Sequence, residues 1–163
     1  MALAAADSQA LIAMLASAKA QGFPLKVAVI ATSYDLGAVP ILFRKPQTYA
    51  KFLAEEDYYY WRAELLVVMP NGYGIYRGKS LPAADAKVVA RLPHTDTASG
   101  VVLVQEAERA VRALAAKRGL TLSTSTGSSG SSSTGTYVAI GAGGLVLVGL
   151  ALGGPFIWRR MRG

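Results

Sequence analysis

Apolar positions along this chain fall into three rhythms, and each rhythm names a different element. From Asp7 to Ala20 the residues Leu11, Met14, Leu15 and Ala18 recur at three- and four-residue steps, the stripe of an amphipathic helix. Asp7 or Ser8 is placed to cap it, and Gly22 then Pro24 to stop it. Leu25–Ala31 and Glu64–Met69 are short apolar runs without polar alternation, as expected of strands covered on both faces. Between them Pro46 suits the first position of a helix with Tyr49, Phe52 and Leu53 facing inward and Lys51 paired with Glu55 outside. Strand, helix and strand over this distance predict a parallel, right-handed βαβ unit. Asn71-Gly72 predicts a type I′ hairpin turn, with Gly74–Arg77 returning as an antiparallel strand. Ala83–Arg91 reads as a short helix. Val101–Lys117 reads as a longer one, with Val101, Val104, Val111 and Leu114 on one side and Gln105, Glu108, Arg109 and Arg112 mostly opposite. Lys117 and Arg118 suit the negative end of its dipole, and Gly119 terminates it. The expected fold class is α/β: a small three-layer sandwich with a parallel βαβ core plus an antiparallel hairpin strand.

The third rhythm is continuous. Tyr137–Trp158 is an uncharged apolar run of 22 residues, closed by Arg159, Arg160 and Arg162. As a helix it would span ~33 Å, enough for the ~30 Å hydrocarbon core of a bilayer. Before it, every residue from Ser123 to Thr136 is Ser, Thr or Gly, a composition that forms no core and behaves as flexible coil with a reach of about 20 Å. The expected organisation is an α/β domain at 1–122, a linker at 123–136, a transmembrane helix at 137–158 and a basic tail at 159–163. Arginines crowding one end of the span place that end in the cytoplasm and the domain outside, with Tyr137 and Trp158 at the two interfaces. The opposite orientation, a tail anchor with a cytoplasmic domain, carries three arginines across the bilayer. Met1–Ala6 holds no basic residue, and Asp7, Ser8 and Gln9 interrupt the apolar stretch, so the opening reads as helix and not as a signal segment. An exported domain is expected to need a signal beyond these residues.

The formal charge of +7 changes little in this picture. Three of the 17 basic residues belong to the tail, which leaves 14 against 10 acidic ones, a dispersed balance of +4. No basic run or basic-aromatic face supports nucleic-acid binding; weak attraction to anionic head groups is the milder expectation. The absence of cysteine excludes disulfides, thiolate metal sites and a cysteine nucleophile. His94, the only histidine, lacks the companions of a metal site, so no metal and no cofactor are expected.

Chemistry is sparse. Ligands of open parallel sheets gather beyond the carboxyl ends of the strands, which here brings Thr32, Ser33, Tyr34 and Asp35 beside Asn71, Gly72 and Tyr73. Ser33, Tyr34, Asp35, Asn71 and Tyr73 are the candidate ligand site, although turn-making accounts for the same residue types. Gly72-Tyr73-Gly74 precedes a strand and not a helix, so it is no phosphate loop. Tyr58, Tyr59, Tyr60 and Trp61 cannot all point inward, and the exposed members suit a protein contact or the membrane interface. In the span, Gly149 with Gly153, and Ala139 with Gly143, have the spacing of a helix-association face, a spacing that six glycines also give by chance.

The element order, the strand after the first helix and the hairpin Leu65–Tyr76, LLVVMPNGYGIY, resemble the TPM-domain family over about residues 7–120. Gly78-Lys79-Ser80 stands where members carry an acidic, glycine-rich segment. The resemblance implies an extracytoplasmic α/β module tethered by one membrane span and concerned with assembly or quality control of membrane proteins. The expected partners are thus the lipid bilayer and a membrane protein, and the expected role an interaction module. The alternative is a phosphatase-like hydrolase centred on Asp35.

Overall fold

The computed structural model describes residues 2–123, with backbone also at 136–137 and 146–150. Strands β1 (Leu25–Val29) and β2 (Glu64–Met69) run parallel with Val27 opposite Leu66, and β3 (Gly72–Arg77) returns antiparallel to β2. Their unbroken apolar character follows from burial on both faces. Val27, Val29, Leu66, Val68 and Ile75 enter one core, while Ala28, Ile30, Val67 and Met69 enter a second. Helices α1 (Ala2–Ala20), α3 (Ala83–Val89) and α4 (Gly100–Ala116) cover the first face. Helix α2 (Pro46–Glu56) and 3₁₀ turns at Ser33–Leu36 and Pro40–Leu42 cover the second. The result is a small α/β domain with a mixed sheet between helical layers.

On the first face Leu11, Met14, Leu15 and Ala18 of α1 meet Leu103, Ala107, Ala110, Val111 and Leu114 of α4. Both helices end alike. The Phe23 and Gly22 amides donate to Ala18 and Lys19, and the Leu120 and Gly119 amides to Ala115 and Ala116, with φ of +82° at Gly22 and +70° at Gly119. This double closure needs a left-handed residue, which glycine supplies without a Cβ clash.

Four expectations are corrected. Helix α1 begins at Ala2, so Asp7 and Ser8 lie inside it and not at its start, because the alanine-rich opening has helix propensity enough to continue. In α2 the inward stripe of Tyr49, Phe52 and Leu53 does pack on the second core, but it is wider than expected: Ala50 and Ala54 are buried too, and Phe52 and Leu53 are partly covered. The hairpin loop is Pro70-Asn71, since Met69 pairs with Gly72 and β3 starts two residues earlier than expected. Proline fixes a negative φ and so takes the first central position, Asn71 is not left-handed, and a type I′ turn is ruled out. Glu108, expected on the outer side of α4, is buried, its carboxylate 3.1 Å from Arg112.

The two margins of the sheet differ. At β3 the Gln47 side chain stands in for a strand: its Nε2 donates to the Ile75 carbonyl at 2.9 Å, and the Ile75 amide donates to its Oε1 at 3.2 Å. A Cβ on Gly74 would lie 2.1 Å from the Pro46 oxygen, so glycine allows the start of α2 to sit directly on β3. At the other margin β1 pairs antiparallel with β5 (Val146–Leu150), Val27 opposite Val148, and β5 pairs with β4 (Thr136–Tyr137), Gly149 opposite Tyr137. The rest of the expected linker at 123–136, the rest of the expected span at 137–158 with Gly153, and the tail at 159–163 lie outside the described residues. Among the described residues no helix is long and apolar enough to cross a membrane.

Candidate functional site

Beyond the carboxyl end of the sheet three loops are tied together around Arg44, whose φ of +61° is unusual for a residue with a side chain. Asn71 Nδ2 donates to the Arg44 carbonyl at 2.7 Å. The Arg44 guanidinium grips Asp96 through two hydrogen bonds, at 2.9 and 2.6 Å, holding the Asp96 carboxyl below its usual range. These bonds join the loop before α2, the β2–β3 turn and the segment between α3 and α4. Tyr73 Oη donates to the Pro93 carbonyl at 2.8 Å, and its ring meets His94 edge-on at 6.5 Å. Burial above all, with the nearby Glu106 carboxylate, pushes the Tyr73 phenol up to about 12 against the opposing Arg109.

Asp35 is buried, and its Oδ2 accepts the Ala31 and Thr32 amides at 2.9 and 2.8 Å, stopping β1 and turning the chain. Ser33 is half-buried and Tyr34 is 89% exposed on that turn. The five residues expected to form a ligand site therefore share one end of the sheet, but their hydrogen bonds point to different neighbours: Asp35 to its own turn, Asn71 to Arg44, Tyr73 to Pro93. Asp35 Oδ1, Asn71 Oδ1 and Glu106 Oε2 are buried with no hydrogen-bond partner among the described residues. Glu106 is the residue that sequence reasoning missed here. It is 1% exposed, and its Oε1 accepts the Thr95 amide. Its place between Leu103 and Ala110 on the inner side of α4 was the available signal. No group of three His, Cys, Asp or Glu side chains suited to a metal ion exists among the described residues.

The opposite end of the sheet carries the aromatic run. Tyr58 lies between two cations, Arg62 at 5.0 Å and Lys79 at 4.4 Å from its ring. Trp61 Nε1 donates to the Glu64 carbonyl at 3.1 Å, and Lys26, also paired with Asp57, lies 4.8 Å from the indole. Tyr59 and Tyr60 are 84% and 90% exposed, so packing accounts for half of the run.

Next to it lies an ion network that sequence reasoning missed. Arg118 Nη2 donates to Glu64 at 3.0 Å and to Asp85 at 2.8 Å, while its guanidinium lies 4.0 Å from the Phe23 ring. Lys117 Nζ reaches Asp85 at 2.7 Å. Burial raises the Asp85 carboxyl, but hydrogen bonds from Arg118 and Lys117 outweigh it and hold the group below its usual range. The signal was Glu64, a lone charge opening an apolar strand.

Set against known proteins, the chain matches no family model, no curated sequence and no solved structure.

Proposed function

We propose that this protein is a membrane-anchored, TPM-like interaction or assembly module whose α/β domain stands outside the cytoplasm. The observation that carries the reading is the boundary at Ser123. Up to that residue the chain is packed, with Leu120 and Leu122 against the core and the Ser123 amide donating to Ser17 Oγ at 3.3 Å. From that residue the composition turns to Ser, Thr and Gly, and then to an apolar run stopped by three arginines. A domain complete before its tether is suited to presentation on a membrane. In this reading Tyr137–Trp158 lies in lipid, with Gly149 and Gly153 available to a neighbouring helix, in place of the pairing of Val146–Leu150 with β1.

The hydrolase alternative rests on Asp35. Its Oδ2 is committed to two backbone amides, which is a structural duty, and among the described residues no nucleophile or base is hydrogen-bonded to it. Loss of phosphoesterase activity in a folded Asp35→Ala variant would restore that alternative.

Because the chain has no cysteine, topology is testable with single introduced thiols. Ser128→Cys should react with a membrane-impermeant maleimide on intact cells, and Gly163→Cys only after lysis. The reverse pattern refutes the orientation, and recovery of the chain in the soluble fraction refutes the anchor.

A further inference from the structure

The aromatic run and the exit of the tether share one end of the domain. Trp61 bonds to Glu64, Glu64 to Arg118, and five residues after Arg118 the described domain ends at Ser123. Gln21 Nε2 holds the departing chain through the Thr121 carbonyl at 2.8 Å. A coil of the linker's length reaches about 20 Å on average. If the following run is in lipid, this end of the domain stays within one coil length of the bilayer surface.

What that end presents is matched to the surface. Tyr59 and Tyr60 are almost fully exposed, and Leu81 is half exposed. Arg62 and Lys79 flank Tyr58; Asp57 is paired with Lys26 and Glu64 with Arg118, while Glu56 stays exposed before the run. Tyrosine sits readily at the head-group level with its ring in the acyl boundary, while lysine and arginine are attracted to anionic lipid. We infer that Tyr59, Tyr60 and Leu81, with Arg62 and Lys79, form a docking surface for an anionic bilayer, so that the domain lies on the membrane beside its own anchor. This rests on the anchored reading and adds a second, reversible contact to it.

The test uses the full chain in vesicles containing about a third anionic phospholipid, enough for an attractive surface potential. Trp158→Phe leaves Trp61 as the only indole, and Trp61→Phe leaves Trp158. Lipids brominated close to the head group should quench Trp61 at least twofold, and the quenching should fall at least threefold in a Tyr59→Ser/Tyr60→Ser variant or in neutral vesicles. Trp158 with chain-brominated lipid reports the anchor independently. Quenched Trp158 with unquenched Trp61 overturns the docking while leaving the anchor, and assigns Tyr59 and Tyr60 to a protein contact instead. Neither indole quenched overturns both. Quenching of Trp61 unchanged by the double substitution overturns the assignment to these tyrosines.

Discussion

Replacing Arg118 by methionine removes the one cation that serves both buried carboxylates. Glu64 and Asp85 are 5% and 4% exposed, so neither can recover its lost partner from water. Breaking a buried pair by deleting one member typically costs ~3–5 kcal/mol, because a charge is left uncompensated. Here the loss is softened: Lys117 remains 2.7 Å from Asp85 and Arg77 3.7 Å from Glu64. Methionine also keeps apolar contact with Phe23. The expected cost is therefore ~2–3 kcal/mol, which for a domain of this size lowers the urea midpoint by roughly 1–2 M. The pH dependence carries the sharper signature. Asp85 has a depressed carboxyl pKa in the folded state, so its contribution is present above the unfolded value near ~3.9 and is lost as pH falls through the folded value. Equilibrium unfolding of Trp158→Phe chains in a mild non-ionic detergent, followed by Trp61 emission at about pH 7 and about pH 3, measures both. The penalty of Arg118→Met should shrink at the acid end. A penalty under about 0.5 kcal/mol at neutral pH, or one equal at both pH values, would refute the network argument.

Two further outcomes follow from the packing and the phenol. Gly74→Ala drives a Cβ into the Pro46 carbonyl and should lower stability by ~3 kcal/mol, a fall in Tm of about 10 °C or more, whereas Gly100→Ala, which meets nothing within 4 Å, should melt like the parent; equal melting of all three would show that α2 can shift freely. Tyr73 is raised to about 12, chiefly by burial. An ultraviolet titration should lose phenolate absorbance at about pH 12 in Tyr73→Phe, and the stability contribution tied to this phenol should be present below about 10 and fall as pH rises through about 12. An unchanged profile in that variant would be the contrary result.

The elements that were legible from sequence are those where one local cause dominates. Glu64–Met69 was found at both ends, because an apolar run buried on both faces has no competing pattern. Pro46, Gly22 and Gly119 marked helix boundaries because their backbone restrictions act within the residue itself. The hairpin loop was misplaced because Asn-Gly was weighed alone, while Pro70 one position earlier fixed the turn. The candidate site was legible only as a location. Sequence put Asp35, Asn71 and Tyr73 at one end of the sheet, but not the tie of Asn71 to Arg44, which depends on a loop before α2. Glu106 and its partner, and the members of the Glu64–Arg118–Asp85 network, could not be joined from sequence for a related reason. Their partners are 11, 54 and 33 residues apart, and no periodicity reports a contact across such distances.

Gln47 has a consequence for how copies of this chain could meet. With its carboxamide occupying the backbone of Ile75, the middle of the β3 margin is closed to a newcomer strand. On the other side β1 pairs with Val146–Leu150 through its backbone. A strand approaching from the β3 side would have to displace that carboxamide first.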